Sequence, residues 1–219
     1  LTIAATTERI DPRDVLVSQN VTPFKELPPR TRIGTSSPRR TAQILASRPD
    51  LDILPIRGNV GTRVDKIRNE DYDAVILAAA GLIRLGMDRH ITEFMNPEMC
   101  TPEVGQGTLA IEARSDDTDV LELLSRINHE LTDKMLRTER AFLKTIGGGC
   151  TVPVTAFARM ENGDMHINSM AAQPDGSCIF RTESVGDFND PETTGRKVAY
   201  ELLDAGAQKI IGSDLTSGK

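Results

Sequence analysis

The sequence has no tryptophan, only two tyrosines and six phenylalanines, and an aromatic content of 4%. So few rings offer no platform on which nucleic-acid bases would stack. Positive charge is also scarce: 26 Lys and Arg stand against 32 Asp and Glu, for a net charge of -6. That balance argues against a general nucleic-acid binder, although local arginine clusters remain able to hold small anions. No run of about eighteen apolar residues occurs, so no membrane-spanning helix is expected. The opening LTIAATTERIDPRD lacks a basic leader and a long apolar core, and does not read as a signal peptide. The three cysteines, Cys100, Cys150 and Cys178, lie far apart without CxxC or Cys/His spacing. Neither a disulfide framework nor a zinc site is expected, and a reducing, cytoplasmic setting fits best. His90, His129 and His166 are scattered among ordinary polar residues, so no metal is expected. The remaining composition, 219 residues with 38% hydrophobic and 26% charged, is ordinary and has room for one large or two smaller domains.

Strands and helices alternate through the first half. Residues 1–7 read as a strand, and Arg9-Ile10-Asp11-Pro12-Arg13-Asp14 breaks the pattern as a crossover or hinge. Val15–Ser18 reads as a short strand. Arg32-Ile33-Gly34-Thr35-Ser36-Ser37-Pro38-Arg39-Arg40 then reads as strand, turn and helix start, with Ser37 as N-cap and Pro38 as first helical residue. Arg39 and Arg40 sit where a helix favours Asp or Glu by about 0.3–1 kcal/mol each, so the pair points to a site for anions. The pattern repeats. Strand Leu51–Ile56 leads through Arg57-Gly58-Asn59-Val60-Gly61-Thr62-Arg63 into a helix. Neither turn is a Walker A loop or a GxGxxG fingerprint. The planar forks of Arg39, Arg40, Arg57 and Arg63 suit carboxylates. Residues 72–80 form an apolar run of the buried parallel-strand type, with Arg84 in the loop beyond it. These arginines all fall at carboxyl ends of strands, where ligands of parallel sheets bind. Asp11, Asp14 and Asp73 read as hinge or surface residues.

Residues 101–107 form a second break, so two crossings bracket the arginine-bearing unit. Residues 108–113 read as a strand, and 116–126 and 130–146 as helices, the second ended by Gly147. The stretch Ile146-Gly147-Gly148-Gly149-Cys150-Thr151-Val152-Pro153-Val154 puts a thiol behind three glycines that let a bulky group approach the backbone. After it the text becomes antiparallel β, with Asn162-Gly163 and Asp175-Gly176 as hairpin turns, and a final helix from Pro191 to Ala205.

The motifs GTSSPRR, RGNVGTR, DYDAVILAAAGLIRLG, PEVGQG and GGGCTVPV, in this order and spacing, resemble those of the porphobilinogen deaminase (hydroxymethylbilane synthase) family over essentially the whole chain. The resemblance implies a transferase of tetrapyrrole and haem biosynthesis. Such an enzyme joins four porphobilinogen molecules into hydroxymethylbilane with release of ammonia, as a cytoplasmic monomer. It implies a dipyrromethane cofactor attached by a thioether to Cys150. Thr35, Ser37, Arg39 and Arg40 would hold its carboxylates. Arg57 and Arg63 would serve the second cofactor ring and incoming substrate, Arg84 chain growth, and Gln106 the hinge beside the cleft. The implied fold is α/β: a periplasmic-binding-protein-like parallel or mixed sheet domain plus a small α+β carboxyl-terminal domain with an antiparallel three-stranded sheet. Residues 1–10 and 106–127 would be remnants of a first domain, 11–105 a second, and 128–219 a third that carries the cofactor cysteine. An acidic segment of histidine-serine-x-lysine-aspartate type, which the family uses near the pyrrole nitrogens, does not occur in these residues. The expectation is therefore a carboxyl-terminal fragment, inactive by itself. The alternative is a non-catalytic carboxylate- or anion-binding module of the periplasmic-binding-protein type, for which Cys150 would have no use.

Overall fold

Alternation of apolar side chains along two adjacent strands builds the centre of the molecule. In the computed structural model, which describes residues 1–68, 72–147 and 153–215 (212–215 by backbone alone), the chain runs β1 (Thr2–Thr6), β2 (Asp14–Ser18), β3 (Arg32–Gly34), α1 (Pro38–Ser47), β4 (Asp52–Leu54), α2 (Val60–Arg68), β5 (Ala74–Ala78), α3 (Ala79–Arg84), β6 (Glu93–Phe94), β7 (Ala110–Ala113), α4 (Thr118–Ser125), α5 (Glu130–Ile146), β8 (Val154–Glu161), β9 (Asp164–Ala172), β10 (Ile179–Gly186), α6 (Pro191–Leu202) and α7 (Gln208–Leu215). A five-stranded sheet has the order β4-β3-β5-β2-β6. Strands β4, β3 and β5 are mutually parallel, whereas β2 runs antiparallel to β5 and β6. Leu16, Ala74 and Ile76 point to the face that α1 covers through Ile44. Val15, Val17, Val75 and Leu77 point to the other, against Val64 and Ile67 of α2 and Leu82 of α3. Burial on both faces is why β5 reads as an unbroken apolar run.

Strands β1 and β7 pair as a separate two-stranded antiparallel sheet. A third sheet, β10-β9-β8, is wholly antiparallel. Its first hairpin turns on Asn162 (φ 53) and Gly163 (φ 94), the positive-φ pair that a tight two-residue turn requires. Helices α5 and α6 cover that sheet around Phe142, Met165, Ile167 and Leu202, whose side chains are almost completely buried. Each such side chain contributes about 1.5–3 kcal/mol. The α/β fold with a mixed sheet and a separate three-stranded antiparallel sheet is the one expected.

Several local expectations differ from what the chain does. The apolar run 72–80 ends as a strand at Ala78, and Ala79–Arg84 is helix α3 rather than loop. Ala79 donates its N–H to Arg13 O at 3.0 Å, which turns the chain out of the sheet, and alanine and leucine favour the helix that follows. Helix α6 stops at Leu202, a wider turn spans 203–207 with Gly206 at φ 118, and α7 continues beyond it. A side chain on Gly206 would meet the Phe180 ring at 2.6 Å, so the reversal there needs glycine twice over. Among the described residues no helix is long and apolar enough to cross a membrane.

Candidate active site

Because β4, β3 and β5 are adjacent and parallel, their carboxyl ends open on one edge of the sheet. From β3 come Thr35, Ser36 and Ser37. The Ser37 side chain accepts from Arg40 N at 3.4 Å and caps α1, with Pro38 behind it. Thr35 is buried, and its hydroxyl accepts from Ser37 N at 3.2 Å. From β4 comes the turn Arg57–Asn59, where Gly58 (φ 121) lets the backbone reverse and Asn59 Oδ1 accepts from Thr62 N at 2.9 Å to start α2. Ser36 Oγ joins the two turns by donating to Ile56 O at 2.8 Å and accepting from Ile56 N at 2.9 Å. A Cβ on Gly81 would lie 3.2 Å from Val60, so α2 and α3 start side by side.

The arginines on this edge fall into two groups. Arg57 is exposed, and its guanidinium has no partner among the described residues. Arg63 spends only Nε, on Gly58 O at 2.8 Å. Arg84, exposed at the end of α3, donates Nη2 to Gly107 O at 2.9 Å. Arg39 and Arg40 are instead tied inward. Their common partner is Asp14, the first residue of β2, which is fully buried rather than a surface residue. Arg39 Nη1 lies 2.8 Å from Asp14 Oδ2, and Arg40 Nη2 and Nε lie 2.7 and 2.9 Å from Oδ1. The Cys100 thiol donates to Oδ2 at 3.2 Å, and Gln106 Nε2 donates to Oδ1 at 3.0 Å. Burial alone would raise the Asp14 pKa, but the Arg39 and Arg40 charges hold its carboxyl below the ordinary carboxylate range. Burial and the Asp14 charge push the Cys100 thiol up to about 12. Cys100 should therefore resist iodoacetamide at pH 8 until the chain unfolds, and the partly exposed Cys178 should react before it; peptide mapping of the labelled protein checks this.

Both crossings between sheets converge here. Gln106 Nε2 also donates to Pro12 O at 2.6 Å, and Ile10 N donates to Gly107 O at 3.2 Å. Arg39 Nη1 reaches Thr101 O at 2.5 Å, and Gln43 brackets Thr101 through N (2.8 Å) and O (3.2 Å). Arg181 from β10 donates to Thr101 Oγ1 at 2.8 Å and to Met99 O at 2.9 Å. The Asp175-Gly176 turn packs on α1 closely enough that a Cβ on Gly176 would lie 2.6 Å from Ala42 O.

Beside the second crossing lies a groove of about 1190 Å³ whose lining includes Glu103, Arg140, Lys144, Gly147 and Arg196. Arg140 and Lys144 have no side-chain partner among the described residues. The groove reaches Gly147, the αL cap of α5, and Cys150 itself lies outside the described residues. Sequence reasoning missed Asp14, Gln43 and Arg140. The signal for Asp14 was an acid at the start of a strand buried along its whole length, in a chain whose Arg39-Arg40 pair has no acid in its own helical turn.

Comparison with known proteins adds a lineage to this geometry. The family model described as "Porphobilinogen deaminase, dipyromethane cofactor binding domain" matches residues 1–122, more than half of the chain. A second, "Porphobilinogen deaminase, C-terminal domain", matches residues 134–204. The chain belongs to the porphobilinogen deaminase family. It is 46% identical over 211 residues to the porphobilinogen deaminase of Halalkalibacterium halodurans, covering 95% of this chain and 67% of the relative. It is also 46% identical over 213 residues to that of Bacillus cereus strain AH187, covering 96% and 68%. The porphobilinogen deaminase of Carboxydothermus hydrogenoformans is 46% identical over 211 residues, again covering 96% and 68%. The chain thus spans about two thirds of the relatives' length. The cofactor-domain match contains all the strand-end arginines, and the carboxyl-terminal match contains the position of Cys150. Family membership favours the deaminase reading over a binding module.

Proposed function

We propose that these residues form the carboxylate-binding and cofactor-anchoring part of a transferase that joins four porphobilinogen molecules into hydroxymethylbilane with release of ammonia. The observation that carries this reading is that Arg57, in the turn after β4, Arg63, in α2, and Arg84, at the end of α3, all follow the carboxyl ends of adjacent parallel strands, inside the stretch matched by a dipyrromethane-binding family model. Each porphobilinogen carries an acetate and a propionate, so anionic charge accumulates as units are added. A cleft that shields those carboxylates from water must supply hydrogen-bonded cations, and guanidinium forks do so bidentately. Arg57, unpartnered, and Arg63, with its two terminal nitrogens uncommitted, are the residues for the incoming carboxylates. Thr35, Ser37, Arg39 and Arg40 are assigned to the cofactor carboxylates.

The fit to dipyrromethane rests on observed donors. Besides Arg57 and Arg63, Arg39 Nε is buried without a hydrogen-bond partner among the described residues, and Glu103 Oε2 lies 3.3 Å away but is not aligned to accept. The group, when bound through Cys150, supplies the pyrrole carbon at which the chain lengthens. Arg84 and Gln106, both bonded to the crossing segments, position the cleft wall during that growth. The units 1–10 with 106–127, 11–105 and 128–219 are taken as three domains. A cytoplasmic, monomeric enzyme suits a reaction on a small soluble substrate.

Calorimetric titration of porphobilinogen into the chain tests the arginine assignment. Arg57→Ala and Arg63→Ala should each weaken binding about tenfold, the loss of ~1.4 kcal/mol, with unchanged thermal stability. Absence of binding by the wild type, or wild-type affinity in both variants, contradicts the assignment.

A further inference from the structure

Two adjacent arginines on one helix usually repel, and here a single carboxylate holds both. Asp14 is 0% exposed, Arg39 4% and Arg40 11% by side chain. Each Asp14 oxygen serves one arginine: Oδ2 takes Arg39 Nη1 and the Cys100 thiol, and Oδ1 takes Arg40 Nε and Nη2 together with Gln106 Nε2. The geometry divides the labour. Arg39 is also tied to Thr101 O, so it fastens α1 to the second crossing. Arg40 donates to Asp14, to Ile76 O at 3.3 Å and to Gln106 Oε1 at 3.4 Å. Its Nε, Nη1 and Nη2 all have acceptors, and its side chain is the less buried of the two. Gln106 meanwhile links Asp14 to Pro12 O, so one amide ties the arginine to both crossings.

We infer that Asp14 is a positioning residue of the carboxylate site: it holds the Arg40 guanidinium, through Nε and Nη2, at the carboxyl end of β5, and couples that placement, through Gln106, to the two crossings. The inference rests on the functional reading above for the nature of the ligand, and on geometry alone for the arrangement.

A positioning role and a mere counter-charge predict opposite signs. Asp14→Asn is nearly isosteric and removes one negative charge beside the site. If Asp14 only neutralises, the variant should bind an anionic ligand as tightly or more tightly. If it positions Arg40, binding should weaken although the site has become more positive. The first measurement is calorimetric affinity for porphobilinogen in wild type, Asp14→Asn and Arg40→Lys. The second is solvent exchange of the arginine Nε–H groups by nitrogen-15 NMR, with Arg40 assigned by its loss in Arg40→Lys. The expected result is about tenfold weaker binding in Asp14→Asn, a similar loss in Arg40→Lys, which keeps the charge without the fork, and slow Arg40 Nε–H exchange in wild type that Asp14→Asn abolishes. Equal or tighter binding by folded Asp14→Asn overturns the inference. So does Arg40 Nε–H exchange in wild type as fast as that of exposed Arg57, a result available even if Asp14→Asn fails to fold. If wild type does not bind porphobilinogen, the functional reading fails, and the exchange of Arg40 still decides whether Asp14 holds it.

Discussion

Glu139→Ala is expected to lower the unfolding free energy by about 3–5 kcal/mol, the cost of leaving one member of a buried ion pair alone. Glu139 is 0% exposed and Arg9 6%. They meet as a fork on a fork, with Arg9 Nη1 to Oε1 at 2.8 Å and Nη2 to Oε2 at 3.0 Å. The carboxylate has further duties: Gly105 N donates to Oε2 at 2.7 Å and Ala158 N to Oε1 at 2.9 Å. Removing it strands a guanidinium and two backbone N–H groups at the point where the first crossing, the second crossing and β8 meet. Typical domains have ~5–15 kcal/mol in all, so this is a large share. For a chain of this size each kcal/mol shifts the melting temperature by roughly 2–4 °C, so a fall of about 6–20 °C is expected. Glu122→Ala, which breaks a pair with Arg126 whose side chains are 76% and 70% exposed, is the control and should change stability by under about 1 kcal/mol. Urea unfolding of the two variants checks the contrast; equal shifts would mean that the buried pair is not what joins the crossings.

Much of this arrangement is legible in the sequence where a local signal decides the outcome. The apolar stripe of 130–146, ended by Gly147, predicts a helix that the structure has at Glu130–Ile146. Ser37-Pro38 predicts the start of α1, and Asn162-Gly163 a hairpin, because caps and positive-φ turns depend on a few neighbouring residues. The strand-end location of Arg57 and Arg63 follows from the strand-turn-helix rhythm in the same way. What local signals do not carry is the long-range pairing. Asp14 is 26 residues from Arg40 and 86 from Cys100 in the chain, and the antiparallel insertion of β2 beside β5 brings them together. Read locally, Asp14 is one acid in a hinge; in the fold it is the counter-ion of two arginines. Glu139 is hidden for the same reason: on the helix it is an ordinary acid at position 139, and its partner Arg9 lies 130 residues earlier. Helix α7 was missed because Gly206 reads as a stop, whereas its positive φ redirects a helix that resumes.

The largest functional effect expected is complete. The thiol of Cys150 is the only proposed covalent link between protein and pyrrole chain, and serine in its place cannot form a thioether. The arginines would still offer carboxylate contacts, so Cys150→Ser should bind pyrrole carboxylates without retaining them through denaturation. A family-length polypeptide carrying these residues, expressed in cells that make porphobilinogen and analysed by intact mass, tests the central claim. The account predicts a mass increase equal to two linked pyrroles in the parent protein and none in Cys150→Ser. A parent protein with no such increase, or an increase that survives Cys150→Ser, would contradict it.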